Sequence, residues 1–189
     1  MEQALRLIER EGLDALSMRR LGTELGVEAM ALYRYVDAKG ALLDGVSAQL
    51  WSEVRIPDEH APDWKQSIRE TAHSLRGLMQ AYPNAFPLLL GRRTLSEPAL
   101  RVFVAMIRAF HNAGFDDSLA GQALGTVVAY SVGYAIVELT CGLGRPDLAA
   151  PRCSVPGPAA RFADVSKALA RCDPDAQFAF GLDALLRGH

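Results

Sequence analysis

Apolar residues recur three and four positions apart along the chain, the spacing that lines one face of an α-helix. Leu5 and Ile8 set the first such face within residues 2–11, and Gly12 ends it. Leu21 and Leu25 form a second face and Leu32 and Val36 a third. Gly26 falls between them, where a chain reversing direction needs a residue that tolerates positive φ. Val27 then offers an apolar plug for the angle of the turn, and Ser17 is placed to cap the second helix. A third helix is expected over about residues 28–35. A fourth is expected over 38–55, with Leu42, Leu43, Val46, Leu50 and Trp51 as its apolar stripe. Two short helices around a tight turn are helix-turn-helix grammar, in which the second helix enters the DNA major groove.

The run Ile56-Pro57-Asp58-Glu59-His60-Ala61-Pro62 breaks this pattern with two prolines and reads as a linker. The expected division is therefore a DNA-binding domain over 1–55, a linker over 56–62 and a second domain over 63–189. Asp63 caps a helix over 64–81, which Pro83 stops. Ser96-Glu97-Pro98 starts another, with Pro98 in the first turn where its missing N–H costs nothing, and it runs to Ala113. Asp116 or Asp117 caps a long helix ending near Gly142. Small residues sit at every fourth position of it, at Gly121, Gly125, Ala129 and Gly133, so that another helix can approach closely, as across a dimer interface. Residues 144–158 hold four prolines and two glycines and read as a loop. Helices over 159–171 and 176–186 follow, the last with Phe178, Leu182, Leu185 and Leu186 on its apolar face. The expected fold class is all-α: an N-terminal three-helix helix-turn-helix domain and a larger α-helical domain.

Composition narrows the function classes. Half of the 189 residues are apolar and the net charge is −2, which suits a folded globular chain. No run of eighteen apolar residues appears and Met1-Glu2-Gln3 does not open a signal peptide, so a cytoplasmic protein with no membrane partner is expected. Cys141, Cys153 and Cys172 show no metal-ligand spacing and fit reduced thiols. His60, His73, His111 and His189 are scattered, and there is no Ser/His/Asp constellation or phosphate loop. No enzyme, metal or cofactor is therefore expected. Charge complicates the DNA-binding expectation, since residues 1–54 carry six Lys/Arg against nine Asp/Glu. Arg19, Arg20, Arg34 and Lys39 nevertheless cluster around the motif, and local placement governs phosphate contact more than the sum does.

Residues 1–54 resemble the tetracycline-repressor (TetR) family of bacterial transcriptional regulators. The resemblance rests on Ala4-Leu5-x-Leu7-Ile8-x-x-x-Gly12, Ser17-Met18-Arg19-x-Leu21, Leu25-Gly26-Val27, Leu32-Tyr33-x-Tyr35-Val36 and Lys39-x-x-Leu42-Leu43. A plain αα-hairpin would not require Tyr33, Tyr35 and Lys39 together. The resemblance implies that Met18, Arg19, Ala29, Met30, Ala31, Tyr33, Tyr35 and Lys39 meet double-stranded operator DNA. Arg19 would pair with a phosphate or a guanine edge, and Tyr33, Tyr35 and Lys39 with phosphates. Ala29, Met30 and Ala31 carry no side-chain donors, so their base contacts would be apolar, as to thymine methyls. Many family members have a short polar arm before the first helix; here the chain starts almost inside that helix.

Beyond the linker the resemblance is looser. It implies a homodimer built on the long helix and the closing helix, and a small-molecule effector whose binding moves the fourth helix. Phe86, Leu89, Leu90, Arg93, Met106, Phe110, Tyr130, Tyr134 and Glu138 are the implied lining groups, though each apolar one also suits plain core packing. Tetracycline repressors place a metal-binding histidine two residues before the glycine matching Gly91. Leu89 stands there instead, so a metal-free, hydrophobic effector is expected. A repressor released by such a ligand is the expected function. The alternative is a helical small-molecule-binding protein or enzyme whose DNA-binding motif is degenerate.

Overall fold

A computed structural model describes residues 1–91, 95–141 and 173–187. The described residues are helical, without a strand. The chain divides into two compact units, residues 1–116 and 117–189.

In the first unit, α1 (Glu2–Glu11) buries Ala4, Leu5, Leu7 and Ile8 and ends at Gly12, whose φ of 88° is open to glycine. After a 3₁₀ turn at Leu13–Ala15, α2 (Met18–Leu25) starts on Ser17, whose hydroxyl accepts the Arg20 N–H at 3.1 Å. Gly26 closes α2 in the left-handed conformation, at φ 68°. The third helix is shorter than its pattern suggests. α3 spans Ala29–Leu32, and turns carry the chain on through Tyr33–Tyr35. Glu28 provides no side-chain cap, and the aromatic and β-branched side chains of Tyr33, Tyr35 and Val36 lose rotamer freedom in a helix. α4 (Lys39–Glu53) buries Leu42, Val46, Leu50 and Trp51 as expected, and with them Ser47.

The prolines at 57 and 62 end α4 without separating its surroundings into two bodies. Residues 56–62 lie inside the first unit, Pro57 is buried, and the Ser67 hydroxyl receives the Asp58 N–H at 2.7 Å. α5 (Trp64–Ala81) is capped by Asp63, whose carboxylate accepts the Gln66 N–H at 3.0 Å. The single turn α6 (Pro87–Leu90) follows, then α7 (Glu97–Asn112), capped by Ser96. Trp64, Phe110 and Phe115 pack as an aromatic cluster, with edge contacts at 5.7 and 5.4 Å and a stacked pair at 5.5 Å.

In the second unit, α8 (Asp117–Cys141) pairs with α9 (Pro174–Arg187). Tyr130 and Tyr134 close around Phe178 at centroid distances of 5.3 and 5.2 Å. The Tyr130 hydroxyl donates to the Phe178 carbonyl at 3.0 Å and that of Tyr134 to the Pro174 carbonyl at 2.9 Å. The expected loop over 144–158, the helix over 159–171, and Arg93 lie outside the described residues.

Candidate DNA-reading head and effector site

The turn between α2 and α3 depends on a glycine that sequence reading passed over. A Cβ built on Gly22 would lie 2.8 Å from the Val27 carbonyl oxygen and 3.2 Å from the Ala29 nitrogen, both backbone atoms. Only a missing side chain lets α3 cross α2 this closely, and the Val27 N–H bonds the Gly22 carbonyl at 2.9 Å. Val27 does not plug the turn. Its side chain and that of Leu25 are both exposed, because the backbone of Val27 already occupies the angle.

The geometry divides the eight residues expected to meet DNA. Met30 and Tyr35 project furthest, at 73% and 86% exposure, and Tyr33, Arg19 and Lys39 are exposed beside them. Ala29 and Ala31 are half-buried on α3. Met18 is a correction: at 6% exposure it belongs to the core with Leu16 and Leu21, because the first residue of α2 points inward once Ser17 caps the helix. Its side chain is therefore not presented to DNA.

A second correction concerns charge. Arg20 does not join the cationic face. Its guanidinium bonds Glu11 at 2.6 and 3.0 Å and Glu24 at 3.0 Å, while Arg10 bonds the same two carboxylates at 3.0 and 2.9 Å. The hydrogen bonds from Arg20, then Arg10, hold the Glu11 carboxyl below the usual carboxylate range; Arg10 is the larger influence on Glu24, also lowered. Two acids that count against DNA binding in the sum thus tie α1 to α2. The exposed cations of the head reduce to Arg6, Arg10, Arg19, Arg34 and Lys39, with Arg6 paired to Glu2 and Arg10 to Glu11 and Glu24.

The expected effector residues fall into both units. In the first, Phe86 is half-buried at the entry to α6, Leu89 is buried and Leu90 exposed, and Met106 and Phe110 are buried on α7. Phe110 is fully committed to the aromatic cluster with Trp64 and Phe115. In the second, the Tyr130 and Tyr134 hydroxyls donate to α9 backbone carbonyls, so the two residues act as a clasp between the two helices. Glu138 is half-buried further along α8.

A reading head presented on a capped, glycine-crossed helix pair, followed by a larger helical body, defines the class: an all-α helix-turn-helix DNA-binding regulator. Comparison with known proteins supplies the family. Residues 1–46 match the model of bacterial regulatory proteins of the TetR family, and residues 56–189 match the tetracyclin-repressor-like C-terminal domain. The chain belongs to the TetR family of bacterial regulatory proteins. It is 30% identical over 186 residues to the class G tetracycline repressor protein of Vibrio anguillarum, covering 97% of this chain and 88% of that one. It is 30% identical over 144 residues to the HTH-type transcriptional repressor DrrR1 of Streptomyces coeruleorubidus, spanning 74% of this chain and about half, 52%, of that protein. Among solved structures it resembles a possible TetR-family regulator from Streptomyces coelicolor A3(2) at TM-score 0.80, with 31% identity and coverage of 99% and 95%. The Streptomyces coelicolor protein ActR in complex with actinorhodin superposes at TM-score 0.79, with 25% identity and coverage of 99% and 92%.

Proposed function

We propose that the chain acts in the cytoplasm, without catalytic activity, as a homodimeric repressor that leaves its operator when a small, hydrophobic, metal-free molecule occupies the helical body. The observation that carries the DNA half is the projection of Met30, Tyr33 and Tyr35 from a turn held in place by Gly22. Arg19 and Lys39 flank these residues as phosphate contacts, and Ala29, Met30 and Ala31 offer methyl and thioether surface to thymine. The dimer is supported by α8. It is long and apolar enough by length and composition to cross a membrane, yet only 17% of that stretch is buried. Its small-residue stripe is largely exposed, with open space where Cβ atoms of Gly121, Gly125 and Gly133 would stand. A second copy laid along that stripe covers the apolar surface, and a dimer carries the two heads that a two-fold operator requires.

The effector is the less defined half. Leu89, buried at the position of the metal-binding histidine of tetracycline repressors, supports a ligand bound without metal. A related protein, ActR, has been solved in complex with actinorhodin. Binding to pooled genomic fragments at low salt, followed by footprinting of the enriched duplex, tests the reading. A protected near-palindrome of one to two helical turns is expected, and Tyr33→Phe combined with Lys39→Ala abolishes it. No enrichment at any salt concentration sinks the repressor reading in favour of a ligand-binding protein with a degenerate motif.

A further inference from the structure

The chain has five methionines, and they differ widely in access to solvent. Met79 on α5 and Met106 on α7 are 0% and 2% exposed, and Met18 on α2 is 6% exposed. Met1, at 48%, lays its thioether into the space left by the absent side chain of Gly45, its sulfur 2.8 Å from where a Cβ would stand. Met30 is 73% exposed, and its neighbours on α3, Ala29 and Ala31, are too short to shield it. One thioether is thus held open to solvent, at the tip of the helix proposed to read DNA.

Nothing in the packing of that tip calls for methionine. Leucine has nearly the same helix propensity and volume, and would make the same apolar contact with a thymine methyl. Leu25 and Val27, both 44% exposed, show that aliphatic side chains stand in solvent on this same turn. What methionine adds is a polarisable sulfur that oxidants reach. Its sulfoxide is polar, so a contact that depends on being apolar is lost with a single added oxygen.

We propose that Met30 is an oxidation site whose sulfoxide weakens operator binding, so that hydroperoxides release the protein from DNA by a route separate from the effector. The proposal rests on the repressor reading above. A lone pair of the Met30 sulfur attacks the terminal oxygen of the hydroperoxide. The S–O bond forms as the O–O bond breaks, and the proton on the transferred oxygen passes to the departing one. Sulfur is oxidised by two electrons and the hydroperoxide is reduced to an alcohol, or to water where hydrogen peroxide is the oxidant. The new oxygen is a strong acceptor. Against a thymine methyl it gives up water and meets no donor, and in a dimer this happens at both heads.

The test uses the full-length protein, hydrogen peroxide as oxidant and the footprinted duplex as probe. Peptide mass spectrometry after brief treatment is expected to find sulfoxide first at Met30, with Met18, Met79 and Met106 spared. Saturating duplex added beforehand is expected to protect Met30 and leave Met1 reacting as before. The oxidised protein is expected to bind about tenfold more weakly, the value of roughly one base contact, with its circular dichroism unchanged. Methionine sulfoxide reductase is expected to restore binding. Met30→Leu keeps the three cysteines and the other methionines, and is expected to bind like wild type both before and after peroxide. If that variant binds poorly from the start, partly oxidised wild type carries the test: Met30 sulfoxide concentrates in the unbound fraction, while Met1 sulfoxide divides evenly. Undiminished binding with Met30 fully converted overturns the proposal. So does a Met30→Leu protein that loses affinity to peroxide as wild type does, or sulfoxide forming at Met1 or Met18 ahead of Met30. Untreated wild type that binds no duplex ends the repressor reading and the proposal with it.

Discussion

Gly22→Ala and Gly77→Ala make the same chemical change in the middle of two helices and should move stability in opposite directions. In an unobstructed helix, alanine is favoured over glycine by roughly 0.8–1 kcal/mol. Gly77 lies within α5 with nothing within 4 Å of the site where its Cβ would stand, so this gain is realised. At Gly22 the new methyl meets the Val27 carbonyl at 2.8 Å and the Ala29 nitrogen at 3.2 Å. Both are backbone atoms, so relief requires the turn itself to retreat by several tenths of an ångström. Overpacking of this kind costs about 1–3 kcal/mol, which exceeds the propensity gain and leaves a net loss of about 1 kcal/mol. For a chain of this length that lowers Tm by roughly 2–4 °C, while Gly77→Ala raises it by a similar amount. Melting followed by circular dichroism at one fixed protomer concentration separates the two, since association also shifts Tm. Because α3 is displaced, operator affinity of Gly22→Ala should also fall by about tenfold, the value of roughly one base contact. A Gly22→Ala protein that melts at or above wild type and binds the duplex unchanged would refute the close-crossing argument.

Further expectations follow from the same geometry. A Cβ on Gly181 would collide with the Tyr130 ring, which Phe178 and the hydroxyl bond to its carbonyl hold in place; Gly181→Ala should loosen α9 from α8 by about 1–3 kcal/mol, read by urea denaturation. Gly121→Leu enters open space in a single chain, so it should leave helicity intact and dissociate the proposed dimer in sedimentation. Glu11 and Glu24 have lowered pKa values in the folded head, so their stabilisation is present above the ordinary carboxylate range, about pH 4.5, and is lost as pH falls through the folded values. Glu11→Gln should therefore weaken the head at pH 7 and approach wild type in acid, as measured by melting across that range. Lys39→Ala should flatten the salt dependence of duplex binding by about one unit per head, whereas Met30→Ala should change sequence preference and leave the slope alone.

Helix positions, caps and class were legible in the sequence because each has a local cause. Ser17, Asp63 and Ser96 cap where their side chains can reach a nearby N–H, and Gly12 and Gly26 end helices at positive φ. What escaped the sequence depends on distant partners. Gly22 looks like any helical glycine until the Val27 carbonyl lies above it. Arg20 reads as a DNA cation until Glu11, nine residues away, reaches it across two helices. Met18 has a family position at the DNA face, but its direction is fixed by packing against the core of the head. Tyr130 and Tyr134 look like pocket residues because their spacing shows only that they share a face of α8; that α9 carbonyls take both hydroxyls follows from the helix pairing. The long-range bonds of Glu9 to the Ala85 N–H and of Ser47 to the Leu88 carbonyl gave no signal, since those partners lie 76 and 41 positions away.

The acidic balance of the head is consistent with a repressor that must let go. Tying Arg20 between Glu11 and Glu24 spends a cation on holding α1 against α2. Arg19, Arg34 and Lys39 then remain as exposed cations around the motif, six across a dimer. Counterion release from at most that many phosphates gives a salt slope of roughly −5, about half of that for a strongly electrostatic repressor. Operator affinity must then depend heavily on the placement of Tyr33, Tyr35 and the apolar tip of α3, which act only when both heads are at the correct spacing. Such a head is sensitive to small displacements. Ordinary coupling of 1–3 kcal/mol is a larger fraction of its binding energy than it would be for a head held on by charge. An α1 locked to α2 by ion pairs makes the motif move as a rigid body. The acids that weaken non-specific DNA binding are in this way the same ones that make the head move as a unit.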